Sequence, residues 1–247
     1  MTSVTRQRKG FTLIELLTVI AIIGILAAVL FPGVQGVMRS AKKNSALNKL
    51  RSIGQGYINW SQGGRTMKLN GTWTPGGQVA TNVSQYAANL ALGASLDSGE
   101  LWFVEGDALL DNNIITQMPK NVVQVQGNTQ AIAQPFTVAL GEATASSWEV
   151  YAPTSPGLTG NVVAPLAWTR GLQADGTWGP ATGLAAGSVW GPEGGHIVFG
   201  DGHVSWVTNT KTDGQSPFTN RQTQQPVADW KQSVGVPNGV QGPLPQQ

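Results

Sequence analysis

The longest apolar stretch of the chain covers residues 11–31 and contains only three polar side chains, those of Thr12, Glu15 and Thr18. Twenty residues of α-helix rise about 30 Å, which matches the hydrocarbon core of a bilayer. The stretch therefore predicts a membrane-spanning helix. Because a carboxylate is costly at that depth, we expect Glu15 to have a partner and a function.

Apolar residues recur at helical spacing beyond this stretch, up to about residue 60. They are Val34, Met38, Ala41, Leu47, Leu50, Ile53 and Tyr57. Pro32 removes a backbone donor and clashes with the preceding turn, so a bend or local melting is predicted there. Gly54 and Gly56 are expected to loosen the last turns before Gly63-Gly64 ends the helix. The second half of this helix should lay its apolar stripe on the rest of the chain.

A loop and a short helix are predicted next. Residues 61–81 are rich in Gly and Thr, which favours a loop. Asn82 or Ser84 could cap a helix that contains Tyr86 and Leu90.

Short strands are predicted from residue 122 onwards, where apolar runs are separated by Gly, Pro, Ser and Thr. The runs cover residues 136–140, 148–151 and 161–168. Pro165 cannot donate to a ladder, so its run should lie at a sheet edge or contain a bulge.

A β-hairpin is predicted around Asp201-Gly202, because Asp-Gly between two alternating apolar runs is a strong hairpin signal. If these two residues form a type I′ turn, one face of the hairpin would carry Ile197, Phe199, Val204 and Trp206. This face should be directed to the core. The opposite face would carry His196, Val198, His203 and Ser205.

The start of the chain resembles the type IV prepilin signal. Three basic residues precede the motif Gly10-Phe11-Thr12-Leu13-Ile14-Glu15. The resemblance implies that a peptidase cuts between Gly10 and Phe11 and methylates the new Phe11 terminus. It also implies that Glu15 pairs with the terminus of a neighbouring subunit, and that Pro32 is the helix-bending proline of pilins. The alternative is an ordinary secretory signal with a weak cleavage site at Ala27-Ala28.

A second motif lies near the other end, where Gly194-Gly195-His196 precedes Asp201-Gly202. It resembles the C-terminal motif of prepilin-like families from Planctomycetes- and Verrucomicrobia-type bacteria. Together the resemblances imply an α+β, pilin-like fold with a long N-terminal helix packed on a β-rich head. They imply a structural subunit of a type II secretion pseudopilus or a type IV pilus-like filament. The implied partners are prepilin peptidase, other pilin-like subunits, the inner-membrane assembly platform and membrane lipid.

Charge is distributed unevenly along the chain. Residues 1–68 contain ten Lys and Arg and one acid, whereas residues 69–247 contain five Lys and Arg and twelve acids. The three basic residues before the apolar stretch predict that the leader lies in the cytoplasm and the head outside. The resemblance implies that the protein crosses the inner membrane once. The basic stretch could bind nucleic acid or lipid headgroups, but a solvated helix face is favoured, and no nucleic-acid partner is expected.

The candidate chemistry of the head is sparse. The chain has no Cys, and the acids between residues 97 and 111 lack the spacing of a calcium loop, so no metal or cofactor is expected. His196 and His203 would lie too far apart to share an ion, and no nucleophile or phosphate motif is present, so no enzymatic activity is expected. The alternative function is a minor pilin whose head binds a ligand such as polysaccharide. Its stacking platforms would be Trp73, Trp168, Trp178 or Trp190.

These interpretations divide the chain into five segments. They are a leader (1–10), a transmembrane and assembly helix (11–31), its continuation on the head (32–60), the extracytoplasmic head (61–208) and a largely disordered Gln- and Pro-rich tail (209–247).

Overall fold

The computed structural model describes residues 12–62, 64–68, 71–111, 115, 117–143, 146–151, 165–173, 176–180, 187–208 and 225. The predicted leader and, apart from residue 225, the predicted tail lie outside the described residues. The chain divides into two compact units, Met1–Lys43 and Asn44–Gln247. Within the described residues the architecture is α+β, with one long helix followed by a β-rich region.

The first helix, α1, runs without interruption over Leu13–Ser61 and includes Pro32. The predicted local melting near Pro32 is therefore wrong. Proline removes one hydrogen bond, whereas a helix of 49 residues retains the cooperative bonding on both sides. A bend at Pro32 stays a prediction.

Gly54 and Gly56 are packing positions in α1 and do not weaken its last turns as the sequence suggested. A Cβ atom on Gly54 would collide with the side chain of Val198, and one on Gly56 would lie 2.9 Å from Leu96 Cδ2. The two glycines let the helix backbone approach its neighbours closely. Their weak helix propensity is offset by this tertiary packing, so the helix continues to Ser61.

Only the later part of the predicted apolar stripe is buried: Leu50, Ile53 and Tyr57 are almost completely inaccessible. The prediction is wrong for the earlier part, since Val34 and Met38 are more than half exposed. The Tyr57 ring stacks on Tyr86 with centroids 5.9 Å apart, and Tyr86 meets Trp102 edge to face at 6.1 Å. These aromatic contacts form the centre of the core of the second unit.

The next helix, α2, spans Val83–Ala94 and begins with the predicted cap. The Asn82 side chain accepts a hydrogen bond of 3.0 Å from the Gln85 backbone N–H. Ser95 ends the helix in the left-handed conformation, with a φ of 58°. Of the two predicted caps, Asn82 is the one that binds the first turn.

The segment that was predicted as a strand at residues 136–140 is helical, so that prediction is wrong. It belongs to α4, Gln134–Ala143, which follows the single-turn helix α3, Ala108–Asp111. Phe136, Ala139 and Leu140 are buried, while the residues between them are exposed. This spacing of three and four residues is helical, and Pro135 in the first turn is compatible with a helix start.

Within the described residues, six strands form two antiparallel sheets. A hairpin is formed by β1, Val123–Gln126, and β2, Thr129–Ile132. A four-stranded sheet has the order β3-β4-β5-β6, with strands Trp148–Val150, Pro165–Thr169, Gly195–Phe199 and Val204–Val207. The part of the chain that the structure describes also contains a 3₁₀ helix at Gly99–Trp102, between α2 and α3, and another at Gly191–Glu193, before β5.

Pro165 begins β4, which lies between β3 and β5 and is not an edge strand. The pairing of β4 with β5 changes register between Pro165 and Ala167. Of the two predicted places for this proline, the bulge is confirmed and the edge is wrong. The first strand position tolerates proline because it needs no ladder donor there. Residues 161–164 of the predicted run lie outside the described residues.

Candidate functional site

The N-terminal half of α1 exposes its apolar side chains. The helix contains a stretch long and apolar enough to cross a membrane, and the residues that the structure describes bury none of it. Ile20, Ile25 and Val29, for example, are 60%, 67% and 73% exposed. The core helix of a water-soluble domain would bury such residues, so this surface needs lipid or other helices around it.

Thr12 and Glu15 form a reciprocal cap at the start of α1. The Glu15 carboxylate accepts hydrogen bonds from the Thr12 backbone N–H at 2.9 Å and from the Thr12 hydroxyl at 2.7 Å. The Glu15 N–H donates in return to the Thr12 hydroxyl at 3.3 Å. The sequence analysis missed this role, although Thr-x-x-Glu before an apolar run is a capping-box signature.

The cap fixes the carboxylate of Glu15 at the first turn of the helix, four residues after Phe11. Gly10 and Phe11 lie outside the described residues, so the cleavage and methylation sites stay predictions. In the described structure, the ionisable side chain of Glu15 is held at the first turn of α1, and the helix surface next to it is apolar. In a low-dielectric environment, a carboxylate in this position stabilises a positive charge that comes close to it.

The hairpin of β5 and β6 exists, but its predicted register is wrong by one residue. His196 is opposite Trp206, Ile197 is opposite Ser205, and Val198 is opposite Val204. The loop therefore has three residues, Gly200 to Gly202, and not two. The shared-face prediction for Ile197, Phe199, Val204 and Trp206 is also wrong, because a slip of one residue moves one strand's side chains to the opposite face.

The three-residue loop explains why Asp201 and Gly202 occupy these positions. The Gly202 N–H donates to the Phe199 carbonyl at 2.8 Å, and the Phe199 N–H donates to the His203 carbonyl at 3.0 Å. Gly202 has a φ of +88°, whereas Asp201 is not among the residues with positive φ. This is the pattern of a turn followed by a left-handed glycine, and not the predicted type I′ turn.

Asp201 and His203 interact at the tip of this hairpin. Their Oδ1 and Nδ1 atoms are 2.5 Å apart, and the His203 ring stacks on Phe199 with centroids at 4.4 Å. Partial burial raises the pKa of Asp201, but the hydrogen bonds from His203 outweigh it and the pKa is lowered. The interaction orders the turn, and both side chains are partly exposed.

His196 lies within the sheet and does not face a ligand site with His203. It is buried, and its ring meets Trp206 edge to face at 4.8 Å. Among the residues that the structure describes, no three His, Asp or Glu side chains form a group that could hold a metal ion.

The acidic stretch at residues 97–111 carries structural hydrogen bonds. Asp97 accepts from the backbone N–H groups of Val122 and Val123 at 2.9 and 2.8 Å. The Lys49 ammonium donates to the carbonyls of Glu100 and Phe103 at 3.2 and 2.8 Å. Lys49 is thus attached to the head, which corrects the prediction of a wholly solvated basic face.

A buried ion pair in the second unit was not found from the sequence. Arg170 Nη2 lies 2.6 Å from Asp107 Oδ1, and both side chains are completely inaccessible. The hydroxyl of Ser147 donates to the other carboxylate oxygen at 2.7 Å. The partners are separated by up to 63 residues in sequence, so no local pattern could have joined them. Because each polar group is paired, the network holds loops of the head in one arrangement.

Three of the four tryptophans proposed as ligand platforms are core residues. Trp168, Trp178 and Trp190 are at most 4% exposed. Trp73 is partly buried and donates its indole N–H to Asn89 at 3.0 Å. Rings buried in this way cannot stack on a ligand without rearrangement of the head.

Comparisons with known proteins agree with the N-terminal motif. Residues 5–31 match the family model described as the prokaryotic N-terminal methylation motif. The chain is also similar to two curated proteins of Eikenella corrodens, Fimbrial protein EcpB and Fimbrial protein EcpC, at 54% identity over 46 and 41 residues. The alignments cover 19% and 17% of this chain, and 29% and 27% of the relatives. No solved structure matches the chain.

The chain therefore carries a prepilin-type methylation motif in front of an exposed apolar helix, and over this part it is similar to fimbrial proteins. The apolar helix and the motif are consistent with anchoring in the inner membrane.

Proposed function

We propose that this protein is a structural subunit of a type II secretion pseudopilus or of a type IV pilus-like filament. The observation that carries the proposal is the N-terminal half of α1, which follows the methylation motif and exposes its apolar side chains along the whole spanning stretch. Such a helix can reside in the bilayer before assembly and in a bundle of identical helices after it. Both relatives are named fimbrial proteins, which supports the same class.

In this proposal Glu15 is the assembly residue. Cleavage after Gly10 creates an ammonium at Phe11, and the Glu15 carboxylate of a neighbouring subunit can neutralise it inside the helix bundle. An unpaired charge in lipid is costly, whereas a paired charge costs much less. The pairing favours assembly and sets the axial register between subunits. The leader stays in the cytoplasm and the head lies outside, next to the assembly platform in the inner membrane.

The experiment that tests the proposal is intact-mass analysis of the protein purified from membranes. We expect the loss of residues 1–10 and the gain of one methyl group at Phe11. A mature chain that begins near Val29 would indicate a secretory signal and would overturn the proposal. The alternative, a minor pilin with a ligand-binding head, gains no support from the buried tryptophans.

A further inference from the structure

The hairpin of β1 and β2, residues 123–132, is a small arm on the second unit. Its base is half-buried, whereas residues 125–130 are all exposed, and Val125 is 73% exposed. A two-residue loop, Gly127-Asn128, joins the strands, and Gly127 has a φ of +61°. The arm therefore extends past the surface against which its base packs.

The outer edges of the arm carry backbone groups that the fold leaves open. In a hairpin with a two-residue loop the pair next to the loop is hydrogen-bonded, so the following pair, Val125 and Gln130, directs its N–H and C=O groups outwards. Two residues further, the outward N–H of Val123 is bound by the Asp97 carboxylate at 2.8 Å. No described residue bonds to the outward groups of Val125 and Gln130.

The arm also lacks the features with which proteins usually protect strand edges, apart from its short length. No residue between Asn121 and Gly141 is charged, and neither strand contains a proline or a bulge. By contrast, residues 69–247 as a whole contain twelve acids and five Lys and Arg. Two copies of the head carry net charge of the same sign and therefore repel each other. At the uncharged arm they can meet without this repulsion.

We infer that the arm is a contact between the heads of neighbouring copies of this chain, in which the outer edge of β1 in one arm pairs with the outer edge of β1 in another. The inference rests on the proposed function, because assembly of the N-terminal helices is what brings the heads together. A second copy suits the site because it is equally uncharged there and offers the same open N–H and C=O groups. Its Gln124 and Gln126 amides can also bond to glutamine amides of the facing β1 strand.

Cysteine cross-linking tests the contact in full-length protein in its native membrane. Since the chain has no Cys, a single Val125→Cys substitution gives one thiol per subunit, and a disulfide requires Cα atoms within about 7 Å. Thr208→Cys, an exposed position that follows β6, is the matched control. We expect mild oxidation to give at least several times more disulfide dimer for Val125→Cys. Equal yields, or a Val125→Cys thiol that neither dimerises nor reacts with maleimide because the chain's own tail covers it, would overturn the inference.

Charge exchange then tests whether the partner is a second copy. Gln126→Lys and Gln126→Glu on the same strand, each added to the Val125→Cys chain, should each lower the dimer yield several-fold. Co-expression of the two variants should restore it, since opposite charges attract across the same contact. Dimer yields that do not respond to either charge would contradict pairing between arms.

The yield of sheared filaments separates this inference from the proposed function. If the unmodified chain forms filaments but Val125→Cys gives no dimer, the arm contact is wrong and the proposed function stands. If the unmodified chain is processed yet forms no filaments, both fall.

Discussion

Gly202 is constrained at the scale of a single residue by its backbone and by its neighbours. Its φ of +88° is unfavourable for any residue with a Cβ atom. A Cβ there would also lie 3.3 Å from Ile58 Cδ1 on α1, within the second unit. The residue therefore fixes the turn of the β5–β6 hairpin and allows its approach to the helix.

Gly202→Val should lower the free energy of unfolding by about 1–3 kcal/mol, the cost of a residue forced into a sparse backbone region. Gly127→Val is the matched control, since Gly127 also has positive φ but meets nothing within 4 Å. Its cost should be smaller. Chemical unfolding of the detergent-solubilised full-length chain, followed by Trp fluorescence, measures both, because all nine tryptophans follow residue 59. A larger loss for Gly127→Val would contradict the packing against Ile58.

Glu149 makes stability depend on pH. Burial raises its pKa to about 7, although hydrogen bonds from Trp168 and the Gly171 backbone and the charge of Arg170 lower it. The folded state thus holds this proton more tightly than the unfolded state, whose carboxyl keeps a pKa near its ordinary 4.5. The stabilisation is fully present below pH 4.5 and is lost as the pH rises through about 7.

Glu149→Gln should therefore flatten the pH dependence of the unfolding free energy between about pH 4.5 and 8. We expect the wild type to lose on the order of 1–3 kcal/mol more than the variant over this range. Denaturant unfolding at a series of pH values measures the difference. Equal slopes for the two chains would show that Glu149 is ionised in the folded state throughout.

At the scale of elements, the close approach of α1 to the sheet depends on Gly54. Its Cα faces Val198, and β5 also carries His196 on the same strand face. The chain gives up helix propensity at this position and gains contact between helix and sheet. Bulkier residues would hold the two elements apart.

Gly54→Ala should destabilise the second unit by about 1–3 kcal/mol through overpacking against Val198. The loss should be smaller in a Val198→Ala background, where the methyl group has room. A double-mutant cycle of unfolding free energies measures this coupling. If the two losses simply add, the contact between Gly54 and Val198 does not limit the approach.

At the scale of the whole molecule, the two units differ in where their apolar side chains lie and in their charge. Met1–Lys43 contains the exposed apolar helix with a single acid, whereas the head follows with a buried aromatic core and an acidic net charge. The apolar stretch of α1 that the described residues leave exposed is expected to find its partners outside the chain.

Glu15→Val should leave membrane insertion and cleavage intact and reduce the yield of sheared filaments several-fold. The reason is that the Phe11 ammonium of a neighbouring subunit loses its counter-charge in lipid. Thr18→Val is the control, since it removes a polar group from the same stretch and keeps the carboxylate. Unchanged filament yield for Glu15→Val, relative to total processed protein, would count against the pairing.

The sequence by itself determined the features that depend on neighbouring residues. The spanning stretch, the apolar stripe with Leu50 and Tyr57, and the Asn82 cap follow from spacing along a helix. The prepilin motif is likewise contiguous, and the matching family model covers the same residues. The Thr12–Glu15 cap could also have been predicted, because its signature is local.

Tertiary contacts decided what local patterns leave open. A strand-like run at residues 136–140 became a helix because three of its residues could be buried at helical spacing. The hairpin at Asp201-Gly202 has a register one residue away from the predicted one, because its strands are joined by a three-residue loop and not by the predicted two-residue loop. The pair of Asp107 and Arg170 joins segments 63 residues apart, and burial makes it obligatory. Such choices depend on packing free energies between distant segments, which no local pattern contains.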